Sequence, residues 1–202
     1  MARSRDISKV LTSNTTLATD AELSAYLLQS SASTTYQTKA TTGLTLISKT
    51  SFSGVSTHSV NNVFTSTYRN YKYIVDITET SATSTSLSMR LRASGTDTSA
   101  NYDNINLNTA GTVYSFRNEE GTDDWPVTYI YSGAPDKSFG SGEILKPNLA
   151  SKTMWSVFGR YQTTTLWSAV GIQTDSTQFD GLSLIAGTGT MGGSISIYGY
   201  NE

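Results

Sequence analysis

Residues 86–93 have the sequence Ser-Leu-Ser-Met-Arg-Leu-Arg-Ala, and their pattern decides the fold class. Leu87, Met89 and Leu91 alternate with polar residues at every intervening position. Because successive side chains of a β-strand point to opposite faces of its sheet, this alternation predicts a strand with one face against a core and the other toward solvent. An amphipathic helix would need a period near 3.6 residues instead.

The same period of two recurs from about Gly43 onward. The apolar runs are short, and turn-forming stretches such as Ser94-Gly95-Thr96-Asp97 and Gly187-Thr188-Gly189 separate them. No helical pattern lies between the runs and they follow no fixed interval, which favours a sandwich or barrel over a propeller or solenoid. The further runs are Tyr71–Ile77, Ile105–Leu107, Val127–Tyr131, Trp155–Val157, Leu166–Ile172, Leu182–Leu184 and Ile195–Ile197.

We therefore predict an all-β fold, an antiparallel β-sandwich of jelly-roll-like type over residues 45–202. Within it, strands 71–79 and 86–93 are expected to pair as an antiparallel hairpin. The register that aligns their apolar faces also sets Asp76 opposite Arg90 on the polar face.

Residues 1–44 differ from the rest, because Ser, Thr and Ala dominate them. Thr19-Asp20-Ala21-Glu22 matches a capping box and apolar residues follow at helical spacing, so we predict one helical turn or short helix over 18–29. A helix this short is not stable alone in water and must dock on a partner. We interpret residues 1–44 as an attachment segment and linker. The candidate attachment residues are Leu17, Leu23, Tyr26 and Leu27.

Composition excludes several classes of protein. Charged residues make up 15% of the chain, against a typical ~25%. The net charge of −2 provides no broad basic field, so nucleic acid is not an expected partner. Cysteine is absent, which excludes disulfides and thiolate chemistry. No apolar run reaches the ~18 residues of a membrane span, so membrane insertion is not expected.

Catalytic motifs are absent from the sequence. The single histidine, His58, lies between Thr57 and Ser59, a setting typical of a surface residue. The chain has no Gly-rich phosphate loop, no nucleophile elbow and no zinc-protease motif. We therefore expect no enzymatic activity, no catalytic residue, no metal and no cofactor.

The segment from Arg117 to Trp125 concentrates four carboxylates beside an indole. It is either a receptor-contacting or Ca²⁺-binding loop, or a solvated hairpin tip whose Trp125 packs into the core. The chain's 12 Tyr, 3 Trp and 6 Phe suit sugar stacking, subunit interfaces or core packing. Most of the Tyr lie at alternating positions, which favours core or interface packing for any single one. The candidate binding residues are Glu119, Glu120, Asp123, Asp124 and Trp125, with three tyrosines expected to be exposed, Tyr102, Tyr114 and Tyr161.

A resemblance to known proteins is carried by five stretches: Leu11–Thr19, Tyr68–Lys72, Met89–Asp97, Phe179–Gly187 and Gly193–Tyr200. They resemble stretches of tail-fibre and virion-associated proteins of marine phages, cyanophages among them. The similarity spans nearly the whole chain, and it involves no catalytic motif.

The resemblance implies a virion structural protein that is made in the host cytoplasm and is exposed on the particle. Such proteins join a short N-terminal anchor, which binds tail or capsid proteins, to a β-sandwich that often trimerises and contacts a host-surface glycan. The resemblance assigns no binding residue to a position in this chain. A capsid-decoration or head-fibre protein is the alternative. A non-viral carbohydrate-binding module is a second alternative, against which the attachment segment argues.

Overall fold

The computed structural model describes residues 43–110, 112–132, 138–160 and 165–201. The predicted helix over 18–29 lies outside these ranges, and so do the candidate residues Leu17, Leu23, Tyr26, Leu27 and Tyr161. Within the described part of the chain, no helix is long and apolar enough to cross a membrane.

The described residues form thirteen β-strands. Their bounds are β1 Leu44–Val55, β2 Thr57–Val60, β3 Asn70–Thr80, β4 Ser84–Ala93, β5 Thr96–Asp97, β6 Tyr102–Ala110, β7 Val113–Thr122, β8 Trp125–Tyr131, β9 Ser138–Leu145, β10 Thr153–Arg160, β11 Thr165–Gln173, β12 Gly181–Ala186 and β13 Met191–Tyr200.

The strands form two sheets. Sheet A has eight strands in the order β1-β13-β3-β9-β10-β11-β6-β7. Sheet B has five, in the order β2-β12-β4-β5 with β8 also pairing with β4. Within each sheet, all the described strand pairs are antiparallel. These findings confirm the predicted all-β fold with antiparallel sheets, and the described domain begins at Gly43.

One apolar core is built from both sheets. The alternation seen in the sequence turns every second side chain of a strand inward, and the inward rows of β3 and β4 are almost completely buried. Their residues, each at most 1% exposed, are Tyr71, Tyr73, Val75, Ile77, Leu87, Met89 and Leu91.

The predicted hairpin between β3 and β4 is wrong, because the two strands belong to different sheets. Asp76 of β3 is paired with Ser194, whereas Arg90 of β4 is paired with Ser183. Two strands that each have one apolar face can bury those faces within one sheet or in two sheets on either side of a core. The period of two is the same in both cases. Here the three residues 81–83 carry the chain from one sheet to the other.

Sheet A extends beyond sheet B at one margin. β6 and β7 end the strand order of sheet A at this margin. Six consecutive residues of β7, 113–118, are exposed, so neither face of this part of the strand is covered. The margin therefore presents an outer face, on the side away from the core, and an inner face that sheet B covers only in part.

Candidate binding surfaces

The predicted acidic loop is not one cluster of carboxylates. Glu119 and Glu120 belong to β7, where neighbouring side chains face opposite sides of the sheet. Asp123 and Asp124 follow β7, and each forms an ion pair with Arg90, at 3.4 and 3.8 Å. In the described ranges, no group of three or more His, Cys, Asp or Glu side chains is placed to hold a metal.

Trp125 is a core residue rather than a ligand-binding one. Its ring stacks on Trp155 at a centroid distance of 5.3 Å and meets Tyr102 edge to face at 5.0 Å. Gly171 leaves room for the indole, since a Cβ there would lie 2.8 Å from the indole nitrogen. The expectation that Tyr102 is exposed is wrong, because β6 turns it into the core, where the Leu91 amide donates to its hydroxyl at 2.8 Å.

Asp124 carries a carboxylate in a partly buried position. Burial raises its pKa above the usual value of 3.8, and the charges of Asp123 and Glu119 raise it further. A hydrogen bond with Ser88 and the charge of Arg90 lower the pKa, but they offset only part of the rise. Keeping Asp124 charged therefore destabilises the folded state somewhat, and the charge of Arg90 makes this destabilisation smaller.

His58 is half-buried rather than a surface residue, contrary to expectation. Its Nε2 lies 2.9 Å from Oγ1 of Thr50, and its ring stacks on Phe52 at a centroid distance of 4.4 Å. Burial lowers the pKa of the imidazole. These contacts describe a packed side chain at the junction of β1 and β2.

A polar cleft, which we call the inner pocket, opens on the inner face of the β6–β7 margin. Its volume is about 200 Å³. Four strands contribute to it: β6, β7, β8 and β11. The lining residues are Asn106, Asn108, Ser115, Arg117, Tyr129 and Trp167.

The sequence did not predict the inner pocket, because alternation alone suggests that the apolar residues of β6 face the core, whereas they face outward. Ile105 and Leu107 are exposed, whereas Asn104 and Asn106 are only 2% exposed. The Asn106 amide donates to the Asn104 side-chain oxygen at 2.8 Å. Asparagine is disfavoured in strands, so its recurrence at every second position of β6 was the available signal.

The outer face of the same margin is apolar. Eight side chains on the adjacent strands β10, β11, β6 and β7 are between 42% and 74% exposed. We call them the outer patch: Ile105, Leu107, Tyr114, Phe116, Met154, Phe158, Leu166 and Val170. The patch is continuous, because Val170 pairs with Ile105 and Leu107 pairs with Phe116 across neighbouring strands. Tyr114 is exposed, as expected, whereas Tyr102 is buried and Tyr161 lies outside the described residues.

Part of the outer patch is concave. A depression of about 260 Å³ lies among Ile105, Met154 and Val170, with Asn118 and Glu120 at its border. No protein-family model, curated protein or solved structure matches the chain.

Proposed function

We propose that the protein is a virion appendage protein that self-associates as a homotrimer through the outer patch, joins the particle through residues 1–44 and presents its β-sandwich to a host-surface glycan. The virion context and the number three rest on the resemblance to phage tail-fibre and virion-associated proteins. Self-association rests on one observation, the exposed apolar outer patch. The proposed role is structural and adhesive rather than enzymatic.

The size of the outer patch supports a stable protein contact. Soluble monomers rarely expose contiguous apolar patches larger than a few hundred Å². With about half of each of its eight side chains exposed, the patch offers on the order of 800 Å², comparable with the ~800 Å² that each partner buries in a standard interface. Three of these side chains are aromatic, the class enriched at interface centres.

The charges at its two ends favour a second copy of the chain as the occupant. Glu120 lies at one end of the patch, beside the depression at Met154. Arg160 lies at the opposite end, paired with Leu166 of the neighbouring strand. The acidic end of one copy therefore complements the basic end of another.

Light scattering of the purified full-length chain at tens of micromolar tests this assembly. We expect the mass of three chains for the wild type and of one chain for Val170→Asp, because a carboxylate at the patch centre would be buried unpaired in the contact. Leu149→Asp is the matched control, since Leu149 is also an exposed apolar residue but lies outside the patch. A wild-type monomer, or a Val170→Asp trimer, would contradict the assignment.

Particle assembly tests the proposed attachment segment. The core described above is built from residues after Gly43, so a chain that begins at Gly43 is expected to fold. It should nevertheless fail to join virions of the virus that encodes it. Normal incorporation of this shortened chain would refute attachment through the N-terminal residues, and antibody labelling of intact particles would place the protein on the tail or on the head.

A further inference from the structure

We propose that the inner pocket binds one acidic sugar unit, a hexuronic-acid ring, of a surface polysaccharide. This inference deepens the proposed function by assigning its receptor chemistry and the residues that recognise it. Its first support is a buried hydrogen-bond donor. Trp167 is 5% exposed and lines the pocket, and its indole N–H has no hydrogen-bond partner.

An unpaired buried donor is costly, typically by ~1–3 kcal/mol, unless a ligand or water supplies an acceptor. Trp167 is held in place by its edge-to-face contact with Tyr129, at a centroid distance of 5.6 Å. The indole N–H can only donate, so the ligand atom that it prefers is an oxygen acceptor. A sugar hydroxyl or a carboxylate oxygen meets this need.

Arg117 favours an acidic sugar over a neutral one. Its guanidinium also only donates, and its side chain is 67% exposed at the pocket. The ion pair that it forms with Glu119 is long, at 3.4 Å, and exposed, so it competes weakly with a ligand. Arginine binds carboxylates through two parallel hydrogen bonds, which gives an acidic ring an advantage over a neutral one.

The remaining walls suit the ring hydroxyls. Asn106, Asn108 and Ser115 provide amide and hydroxyl groups that both donate and accept. A volume of about 200 Å³ corresponds to roughly six or seven water molecules at ~30 Å³ each. This is the space of one sugar ring rather than of an oligosaccharide.

The alternation within β7 separates the two binding surfaces. Tyr114 and Phe116 point to the outer patch, whereas Ser115 and Arg117 line the inner pocket. Association through the outer face therefore leaves the pocket open. A ligand of this size binds with a dissociation constant on the order of 1 mM, and several linked pockets would raise the strength of attachment to a repeating polysaccharide.

Isothermal titration of the full-length protein with glucuronate, glucose and acetate tests the ligand class. We expect glucuronate to bind at least 10-fold more tightly than either of the others, because only glucuronate combines a carboxylate with ring hydroxyls. Equal binding of glucose would refute the preference for an acidic sugar. Equal binding of acetate would show that the pocket is a simple anion site and would refute recognition of a sugar ring. Absence of glucuronate binding would also refute the proposal.

Variants then test the named residues. Arg117→Gln should weaken glucuronate binding by 10-fold or more, which is the loss expected for a charge-assisted hydrogen bond. Trp167→Phe, which keeps an aromatic ring but removes the donor, should weaken it several-fold. Arg69→Gln removes the same charge from an exposed position outside the pocket and should change nothing. Unchanged affinity in Arg117→Gln would refute the proposal.

The assembly state separates this inference from the proposed function. Arg117→Gln should remain trimeric by light scattering, because Arg117 lies outside the outer patch. A trimer that does not bind glucuronate would refute the sugar site alone. A monomer that does bind it would refute the proposed assembly alone.

Discussion

The outer faces of the two sheets differ in the polarity of their exposed side chains. The margin of sheet A carries the outer patch, in which apolar side chains stand exposed on four adjacent strands. The corresponding face of sheet B carries hydroxyl and charged side chains that bond to one another. Both faces arise from the same alternation of residues. The difference between them is the basis of the proposal that protein covers the outer patch, because monomers rarely expose so large an apolar patch.

Arg92 organises the outer face of sheet B. Its side chain is 12% exposed and forms an ion pair with Asp97. The same guanidinium donates to Asn61 and Ser183, both at 2.8 Å, and Ser183 donates to Asp97 at 2.7 Å. The network links β4, β5 and β12 with Asn61, which directly follows β2, so the polar residues of this face bond within their own sheet.

The largest expected effect comes from breaking this network. In the Val170→Asp background, where assembly does not contribute, Arg92→Ala should lower the free energy of unfolding by about 2 kcal/mol, because Asp97 loses its charged partner. Urea unfolding followed by tryptophan fluorescence measures it. Arg69→Ala is the control and should have little effect. A change below about 0.5 kcal/mol in Arg92→Ala would mean that this face is merely solvated.

An intermediate effect is expected in the outer patch, where assembly and monomer stability should separate. Phe116 is 68% exposed, so Phe116→Ser in the Val170→Asp background should change the free energy of unfolding by less than about 0.5 kcal/mol. In the otherwise wild-type chain the same change should weaken association at least 10-fold, measured by sedimentation equilibrium. Leu149→Ser should do neither. A clear loss of monomer stability in Phe116→Ser would show that this side chain stabilises the fold itself, and the separation of assembly from stability would be wrong.

The smallest effect is a pH dependence where Asp124 meets Arg90 and Ser88 of β4. Burial holds the folded-state pKa of Asp124 above the unfolded value of 3.8. The contribution of this group is therefore most favourable below 3.8 and is lost as the pH rises through the folded-state pKa. Asp124→Asn should raise the unfolding midpoint at pH 7 and leave it unchanged at pH 3.

Asp123→Asn provides the comparison for this titration. Asp123 pairs with the same Arg90, but its side chain is 73% exposed. We expect little change from Asp123→Asn at either pH, because exposed ion pairs are worth ~0–1 kcal/mol. Equal shifts in the two variants, or an Asp124→Asn effect that persists at pH 3, would show that burial is not the cause.

Local sequence was a better guide to strands than to surfaces. The alternation around Met89 correctly predicted a strand with one buried face. The four carboxylates near Trp125 suggested either a binding loop or a hairpin tip with a buried indole, and the structure shows that the indole is fully buried. The inner pocket combines Arg117 with Trp167 and Tyr129, which lie on three different strands. No local pattern states which strands become neighbours, so this grouping was not predictable.

The sequence by itself determined that residues after about Gly43 form antiparallel β-structure, because the period of two is a local property of the chain. Only the tertiary structure decided which sheet each strand joins and which of its faces is covered. β3 and β4 went to different sheets, and β6 turned its asparagines inward. The physical reason is that the two faces of a strand are set by packing between distant segments, and sheet A is wider than the sheet that covers it.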